Sequence, residues 1–205
     1  VLIEGDRIAA VGSGVKVCAD TIIDASDKIV APGLVNAHAH ASTALLRGLT
    51  DNMPLEPWLL FHMYAGMGAM SPRELYVSSA IGAVELLRTG TTCAVEHAHM
   101  GGAVQDFQPR ADAVVQGFLN AGLRVVLAPM YSDLPFSRRV PLELAGEVSA
   151  EVLAALDPFP SADAAEIIRG LRGLHGELRG RDPLVSLCLG PANPGACSPR
   201  LLELA

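Results

Sequence analysis

Strand-like and helix-like segments alternate along most of this sequence of 205 residues. Four apolar runs have the character of buried strands, at 34–40, 91–100, 124–133 and 183–194. Segments with helical spacing or helix-start signals follow them, at 71–90, 110–123, 161–180 and 198–205. Near-continuous apolar strands that alternate with helices indicate an α/β fold with a parallel sheet and right-handed crossovers. The alternation alone leaves two architectures open, a doubly wound sheet and a (β/α)8 barrel.

The first thirty residues have a different pattern, with short apolar runs separated by turn residues. The runs VLIE and RIAAVG flank Gly5-Asp6, which is a hairpin signal. Two further runs, TIID and KIVAPG, predict two more short strands. We therefore expect a small β segment ahead of the α/β region.

Composition excludes several classes of protein. The net charge is −7 and the sequence has no basic stripe, which argues against a nucleic-acid partner. Apolar stretches are interrupted well before the roughly 18 residues that a membrane span needs. The four cysteines form no CxxC pair and are typical of reduced thiols. We expect a cytoplasmic protein that binds neither nucleic acid nor a membrane.

Two His-Ala-His stretches stand at the ends of the first two α/β strands. Side chains alternate along a strand, so His38 and His40 share one face, and His97 and His99 share one face of the next strand. Two imidazoles at this spacing can share a divalent cation, and imidazole suits zinc and iron. The alternative is a pair of satisfied or exposed histidines at a strand end. Local spacing alone does not rank the two pairs.

The residues around the first pair carry a resemblance to a known family. The passage IIDASDKIVAPGLVNAHAHAS resembles the amidohydrolase superfamily, in which a β segment leads through Pro-Gly into an HxH strand; the matching residues are Asp24, Asp27, Val30, Pro32, Gly33, His38 and His40. The segments LLRGLTDNMPLEPWL and AVELLRTGTTCAVEH look like one branch of that superfamily. The branch contains S-adenosylhomocysteine and methylthioadenosine deaminases, triazine hydrolases and guanine-type deaminases.

The resemblance implies a fold and a division into domains. Family members combine a (β/α)8 barrel with a small β-sandwich built from both chain ends. On that basis residues 1–31 form part of the sandwich, and residues 32–205 form the first four βα units of the barrel domain. A whole barrel needs about 250 residues. We expect this chain to be the N-terminal part of a longer enzyme and to be inactive alone.

The resemblance also implies the metal site. The family takes its ligands from HxH on the first strand, from histidines on the fifth and usually the sixth strand, and from an Asp on the eighth. His38 and His40 are then this chain's metal ligands, and the catalytic base lies outside it. Binuclear members often use a carboxylated lysine on the fourth strand, but the two lysines here, Lys16 and Lys28, precede the barrel region. We expect one divalent metal, zinc first and iron as the alternative.

The implied reaction is hydrolysis of a C–N bond that is not a peptide bond. Metal-activated water attacks a ring carbon that bears an amino group, and ammonia leaves, so the substrate is a small heterocyclic amine. Two other enzyme readings keep the fold, a triazine-type chlorohydrolase and a hydrolase of cyclic amides. The alternative that is not an enzyme is a non-catalytic α/β scaffold in which the histidines have no chemical role. By analogy with the family, the protein is expected to form homo-oligomers.

Four residues are predicted to bind the substrate. His97 and His99 lie at the second strand tip, next to the predicted ligands, and Trp58 lies in the long stretch after the first strand. Asn193 stands where adenosine-type deaminases often have the histidine of a Gly-Pro-His motif, which weakens the case for an adenosine-type substrate. The competing interpretations are a polar strand-tip pair, a packed loop-helix and a plain turn.

Overall fold

The computed structural model describes residues 1–14, 18–101, 103–135, 151 and 162–205. The chain divides into two compact units, Val1–Pro32 and Gly33–Ala205. None of the described helices is long and apolar enough to cross a membrane.

The first unit contains a β-hairpin. Strands β1 (Leu2–Glu4) and β2 (Arg7–Ala10) pair antiparallel, and Gly5 turns the chain between them with a φ of 61°. The prediction of further strands at TIID and KIVAPG is wrong, because no strand forms between residues 18 and 33. These segments lack a partner strand within the described part of the unit, and Ile22, Ile23 and Ile29 are more than 80% exposed. An apolar run without a hydrogen-bonding neighbour does not become a strand.

The second unit is built on a parallel sheet. Its strands are β3 (Leu34–Ala39), β4 (Thr91–His99), β5 (Arg124–Tyr131), β6 (Val185–Leu187) and β7 (Gly190–Pro191). The first four lie side by side in chain order, and both β6 and β7 pair with β5. The predicted α/β fold with a parallel sheet is thus confirmed. The fourth predicted strand is interrupted at Cys188 and Leu189, which separate its two pairing segments.

Helices connect the strands and cover the sheet. They are α1 (Leu55–Trp58), α2 (Pro72–Arg88), α3 (Phe107–Ala121), α4 (Ala164–Leu178) and α5 (Pro199–Leu204). A 3₁₀ helix (Ala41–Leu46) follows β3, and a π-helix (Leu59–Met67) follows α1 directly. Helix α2 begins with a capping box formed by Ser71 and Glu74, which is the helix-start signal of the predicted segment 71–90. The predicted helix at 161–180 begins later, with Asp163 as its N-cap, and Ser161 lies outside the described residues.

The buried face of α2 carries small residues. Ser78, Ser79, Gly82 and Ala83 are buried, whereas Ile81 and Val84 are 41% and 46% exposed. The helix was predicted from its apolar spacing, and its buried face includes Leu75 as well as these small residues. A Cβ at Gly82 would come within 2.7 Å of the Ala41 backbone oxygen, so α2 lies directly against the 3₁₀ helix that follows β3.

Helix α3 approaches α2 equally closely through Gly117. We predict that Gly117→Ala lowers the free energy of unfolding by roughly 1–3 kcal/mol, because its Cβ would lie 2.8 Å from the Tyr76 carbonyl oxygen. Gly173→Ala in α4 is the matched control, since a Cβ there meets no described atom within 4 Å. That change should raise stability by about 0.4–1 kcal/mol. Urea unfolding followed by circular dichroism compares the two, and equal effects would contradict the close α2–α3 contact.

Candidate functional site

His38 and His40 lie together where β3 ends. Their Nε2 atoms are 3.2 Å apart, and the rings meet edge to face with centroids 4.9 Å apart. The backbone N–H of His38 donates to Oδ1 of Asn36, which ties the start of the motif to its own strand. The two imidazoles therefore converge on one point, as the alternation of side chains along a strand predicts.

A main-chain carbonyl on the neighbouring strand orients His40. Its Nδ1 lies 2.7 Å from the carbonyl oxygen of His97. A carbonyl oxygen only accepts, so Nδ1 of His40 carries the proton and donates it. In the neutral ring this leaves Nε2 with a free lone pair directed at His38. Such a bond from the far nitrogen is the usual support of a histidine that binds a metal.

The spacing of the pair fits a tetrahedral cation. With metal–nitrogen distances of about 2.0–2.1 Å, two ligands of a tetrahedral ion lie about 3.3 Å apart. The observed 3.2 Å between the Nε2 atoms matches that separation. To act as a ligand, His38 must carry its proton on Nδ1. Within the described ranges no group of three or more His, Cys, Asp or Glu side chains is arranged to hold a metal, so this part of the chain offers a pair of ligands.

The His97 ring packs against the pair from β4. Its centroid is 4.1 Å from that of His38, with a 30° angle between the planes, and 5.9 Å from that of His40. Burial lowers the pKa of His97, and the charges of His38 and His40 lower it further. A neutral ring at neutral pH follows. The structure thus brings three of the four predicted histidines into one cluster.

Glu96, next to His97, is the most deeply buried charged residue of the site region. It is 0% exposed and points to the opposite face of β4 from the histidines. Its carboxylate accepts bonds from the Ala41 N–H (2.7 Å), the Ser42 N–H (2.9 Å) and the Ser42 hydroxyl (2.7 Å). Burial raises the pKa of Glu96, and the donated bonds act in the opposite direction. Sequence reasoning missed this role, although an acidic residue inside an apolar strand was a usable signal.

His99 lies at the end of β4 and is held by main-chain and guanidinium contacts. Its Nδ1 accepts from the N–H of Gly101 at 3.3 Å, and its carbonyl oxygen accepts from Nε of Arg110 at 3.2 Å. Arg110 also donates to the carbonyls of Met70 (2.9 Å) and Met67 (2.5 Å). Burial lowers the pKa of His99 to about 4, with the charge of Arg110 as a second cause.

Trp58 forms one wall of a cavity next to His40. Its ring stacks on His62, one helical turn later, with centroids 4.5 Å apart and a 15° interplanar angle. His62 is buried, and its Nδ1 lies 3.0 Å from the hydroxyl of Thr50. The cavity has a volume of about 590 Å³, and the residues that line it include His40, Arg47, Thr50, Asp51, Trp58 and His62. The sequence analysis assigned His62 no role.

Asn193 lies in a turn after β7. It is exposed, follows β7, and its carbonyl oxygen accepts from the N–H of Ala196 at 3.1 Å in a tight turn. Near it, the carboxylate of Asp133 accepts from both the N–H and the hydroxyl of Ser198, the N-cap of α5. These contacts describe a turn and a capped helix start, while a substrate role for Asn193 stays a prediction.

Comparison with known proteins gives the family. The model of the amidohydrolase family matches residues 29–202, so the chain belongs to the amidohydrolase family. It is 37% identical over 145 residues to a 5-methylthioadenosine/S-adenosylhomocysteine deaminase of Thermococcus kodakarensis, covering 70% of this chain and 32% of the relative. It is 30% identical over 204 residues to a 5'-deoxyadenosine deaminase of Methanothermobacter thermautotrophicus, covering 99% of this chain and 40% of the relative. The chain thus spans about a third to two fifths of these relatives.

Solved structures agree with the fold. An adenosine deaminase from Xanthomonas campestris with bound zinc matches 78% of this chain and 29% of its own, at 28% identity and a TM-score of 0.54. A zinc complex of atrazine chlorohydrolase from Arthrobacter aurescens matches 84% of this chain and 37% of its own, at 20% identity and a TM-score of 0.65. The second likeness concerns the fold alone.

The partly buried His99 predicts a pH dependence of stability. Its pKa of about 4 in the folded chain lies below the ordinary 6.5, so the unfolded chain binds more protons between these values. Stability from this group is complete above pH 6.5 and is lost as the pH falls towards 4, by about 3 kcal/mol in all. Urea unfolding from pH 7 to 4 should show a shallower loss for His99→Gln than for wild type.

Ala98→Gly is the control for that measurement. It weakens the same strand at a buried position but removes no titratable group, so its pH dependence should follow wild type. Parallel curves for wild type and His99→Gln would show that another group causes the acid sensitivity.

Proposed function

We propose that the protein is a metal-dependent hydrolase that deaminates a small heterocyclic amine. The observation that carries the proposal is the His38–His40 pair, with Nε2 atoms 3.2 Å apart and His40 oriented by the His97 carbonyl. Membership of the amidohydrolase family and the deaminase relatives support the reaction class. Solved relatives with bound zinc support a divalent metal, zinc first and iron as the alternative.

The residues of this chain prepare the site in distinct ways. His40 holds its proton on Nδ1, against the His97 carbonyl, and so keeps Nε2 free to bind a cation. The lowered pKa of His97 favours a neutral ring, so no positively charged imidazolium stands beside the pair to repel a metal ion. A divalent ion bound there supplies activated water at neutral pH. In the deamination, the water oxygen would add to the ring carbon, the amino group would take up one proton of the water and leave as ammonia, and the ring carbon would keep the oxygen as a carbonyl.

The architecture proposed for the second unit is the first half of a (β/α)8 barrel. Four strand positions in chain order, all parallel and with helices between them, support it. In that fold catalytic groups lie at the carboxyl ends of the strands, where the HxH motif lies here. For the hairpin unit we propose a role in a small β-sandwich. The remaining metal ligands and the catalytic base then belong to later strands of such a barrel.

The cavity beside His40 is the proposed place for the substrate ring. Trp58 offers an aromatic face in its wall, and His97 a neutral imidazole beside the pair; we propose His99 and Asn193 as further substrate-binding residues. A flat heterocycle gains stacking and hydrogen bonds from such a wall. The named relatives act on 5'-modified adenosines, so 5'-deoxyadenosine and methylthioadenosine are the first substrates to test, with guanine as a contrast.

Metal analysis tests the site directly. We predict about one zinc or iron per chain in the full-length protein, lost in His38→Ala and in His40→Ala together with deaminase activity. Elemental analysis after gel filtration measures the metal, and ammonia release measures the activity. His175→Ala is the control, because His175 is exposed on α4, and it should keep both. Two tightly bound metals per chain would contradict the single-metal site.

Steady-state kinetics test the cavity wall. We predict that Trp58→Leu raises KM about tenfold and changes kcat little, because a stacking face binds the ground state and the transition state alike. Phe61→Leu is the control, since Phe61 lies on the adjoining π-helix but is 57% exposed. An unchanged KM in Trp58→Leu would remove the tryptophan from the binding site.

A further inference from the structure

A buried carboxylate and the carbonyl next to it hold His40 from two directions. Glu96 binds the N–H groups of Ala41 and Ser42, the two residues that follow His40. The adjacent carbonyl of His97 accepts the Nδ1 proton of His40. Two successive residues of β4 thus fix the backbone after His40 and the ring of His40 itself. We infer that Glu96 is a positioning residue for the histidine pair.

The local backbone shows why such support is needed. At His40 the chain leaves the strand with φ −125° and ψ 53°, which belongs neither to a strand nor to a helix. The 3₁₀ helix that follows receives no side-chain cap from His40. Its first two N–H groups, of the partly buried Ala41 and the buried Ser42, have the carboxylate as their partner and would lose it without Glu96. Glu96 therefore determines where the chain turns, and with it where the imidazole of His40 lies.

The bonding of Glu96 is that of a carboxylate held by the backbone of the neighbouring segment. Oε2 accepts from Ala41, and Oε1 accepts twice from Ser42, once from the backbone and once from the hydroxyl. All three partners are donors, which is the pattern that suits an ionised carboxylate. The side chain lies on the face of β4 opposite to the histidine rings. Glu96 bonds to neither ring, so it holds the pair through the backbone that follows His40, and its charge also interacts with that of His38.

The first measurement needs no metal and concerns the His40 ring. We expect nitrogen-15 spectra of the metal-free wild-type protein to show one His40 tautomer, with a slowly exchanging proton on Nδ1. Glu96→Gln keeps the shape of the side chain but turns an N–H₂ group towards one of the donors. The expected result is a mixture of His40 tautomers and a fast-exchanging Nδ1 proton. Glu96→Asp retains the charge and should preserve more of the wild-type signal.

The second measurement is zinc affinity, by competition with a chromophoric chelator, and rests on the proposed function. Glu96→Gln should weaken zinc binding about 10–100-fold, which is the usual cost of losing support for a ligand, and Glu96→Asp should lose less. Leu174→Ala is the stability control, because this residue is buried on α4, whose main packing partners are α3, α5 and β6, and the change destabilises the fold. It should keep wild-type affinity and the wild-type His40 spectrum.

The outcomes distinguish the positioning role of Glu96 from the proposed metal-dependent function. Glu96→Gln with an unchanged His40 spectrum and a zinc Kd within about twofold of wild type would overturn the positioning role. If Glu96→Gln does not fold, Glu96→Asp decides by the same criteria, because a side chain shorter by one methylene cannot reach all three donors. Zinc binding that survives His38→Ala and His40→Ala would count against the proposed function instead. The ring spectrum, recorded without metal, still decides the role of Glu96.

Discussion

The hydrogen bonds from the start of the 3₁₀ helix to the carboxylate of Glu96 connect β4 to the chain that leaves β3, at the end of the sheet where the histidine cluster lies. Burying an ionised carboxylate costs several kcal/mol unless donors surround it, and here three donors do. The same bonds fix the chain directly after His40. Stability of the strand end and geometry of the imidazole pair therefore depend on one buried group.

Close helix packing supports the same region from outside. Helix α2 lies against Ala41 through Gly82, and α3 lies against α2 through Gly117. Larger residues at these positions would push the helices outwards and carry the 3₁₀ helix with them. The position of the histidine pair thus depends on small residues in helices α2 and α3, which act on the histidines through the chain that follows His40. The chemistry of the site and the packing of the helices are parts of one arrangement.

Much of this arrangement could be predicted from the sequence. Periodicity predicted the parallel α/β fold, and alternation along a strand predicted that His38 and His40 converge. The failures share one physical cause, because they concern contacts between segments far apart in the chain. Ile22 and Ile29 read as strand residues but found no strand partner within the described unit. The donors to Glu96 lie 54 and 55 residues away, beyond the reach of local patterns.

Arg110 has a consequence for how this region can move. Its guanidinium joins the end of β4, at His99, to the carbonyls of Met67 and Met70 after the cavity wall. A swing of the segment that carries Trp58 would take two of the three carbonyl acceptors away from this buried cation, at a cost of several kcal/mol. The wall and the sheet should therefore move as one body. Any gate that admits a molecule to the cavity has to be made by other, more weakly held elements.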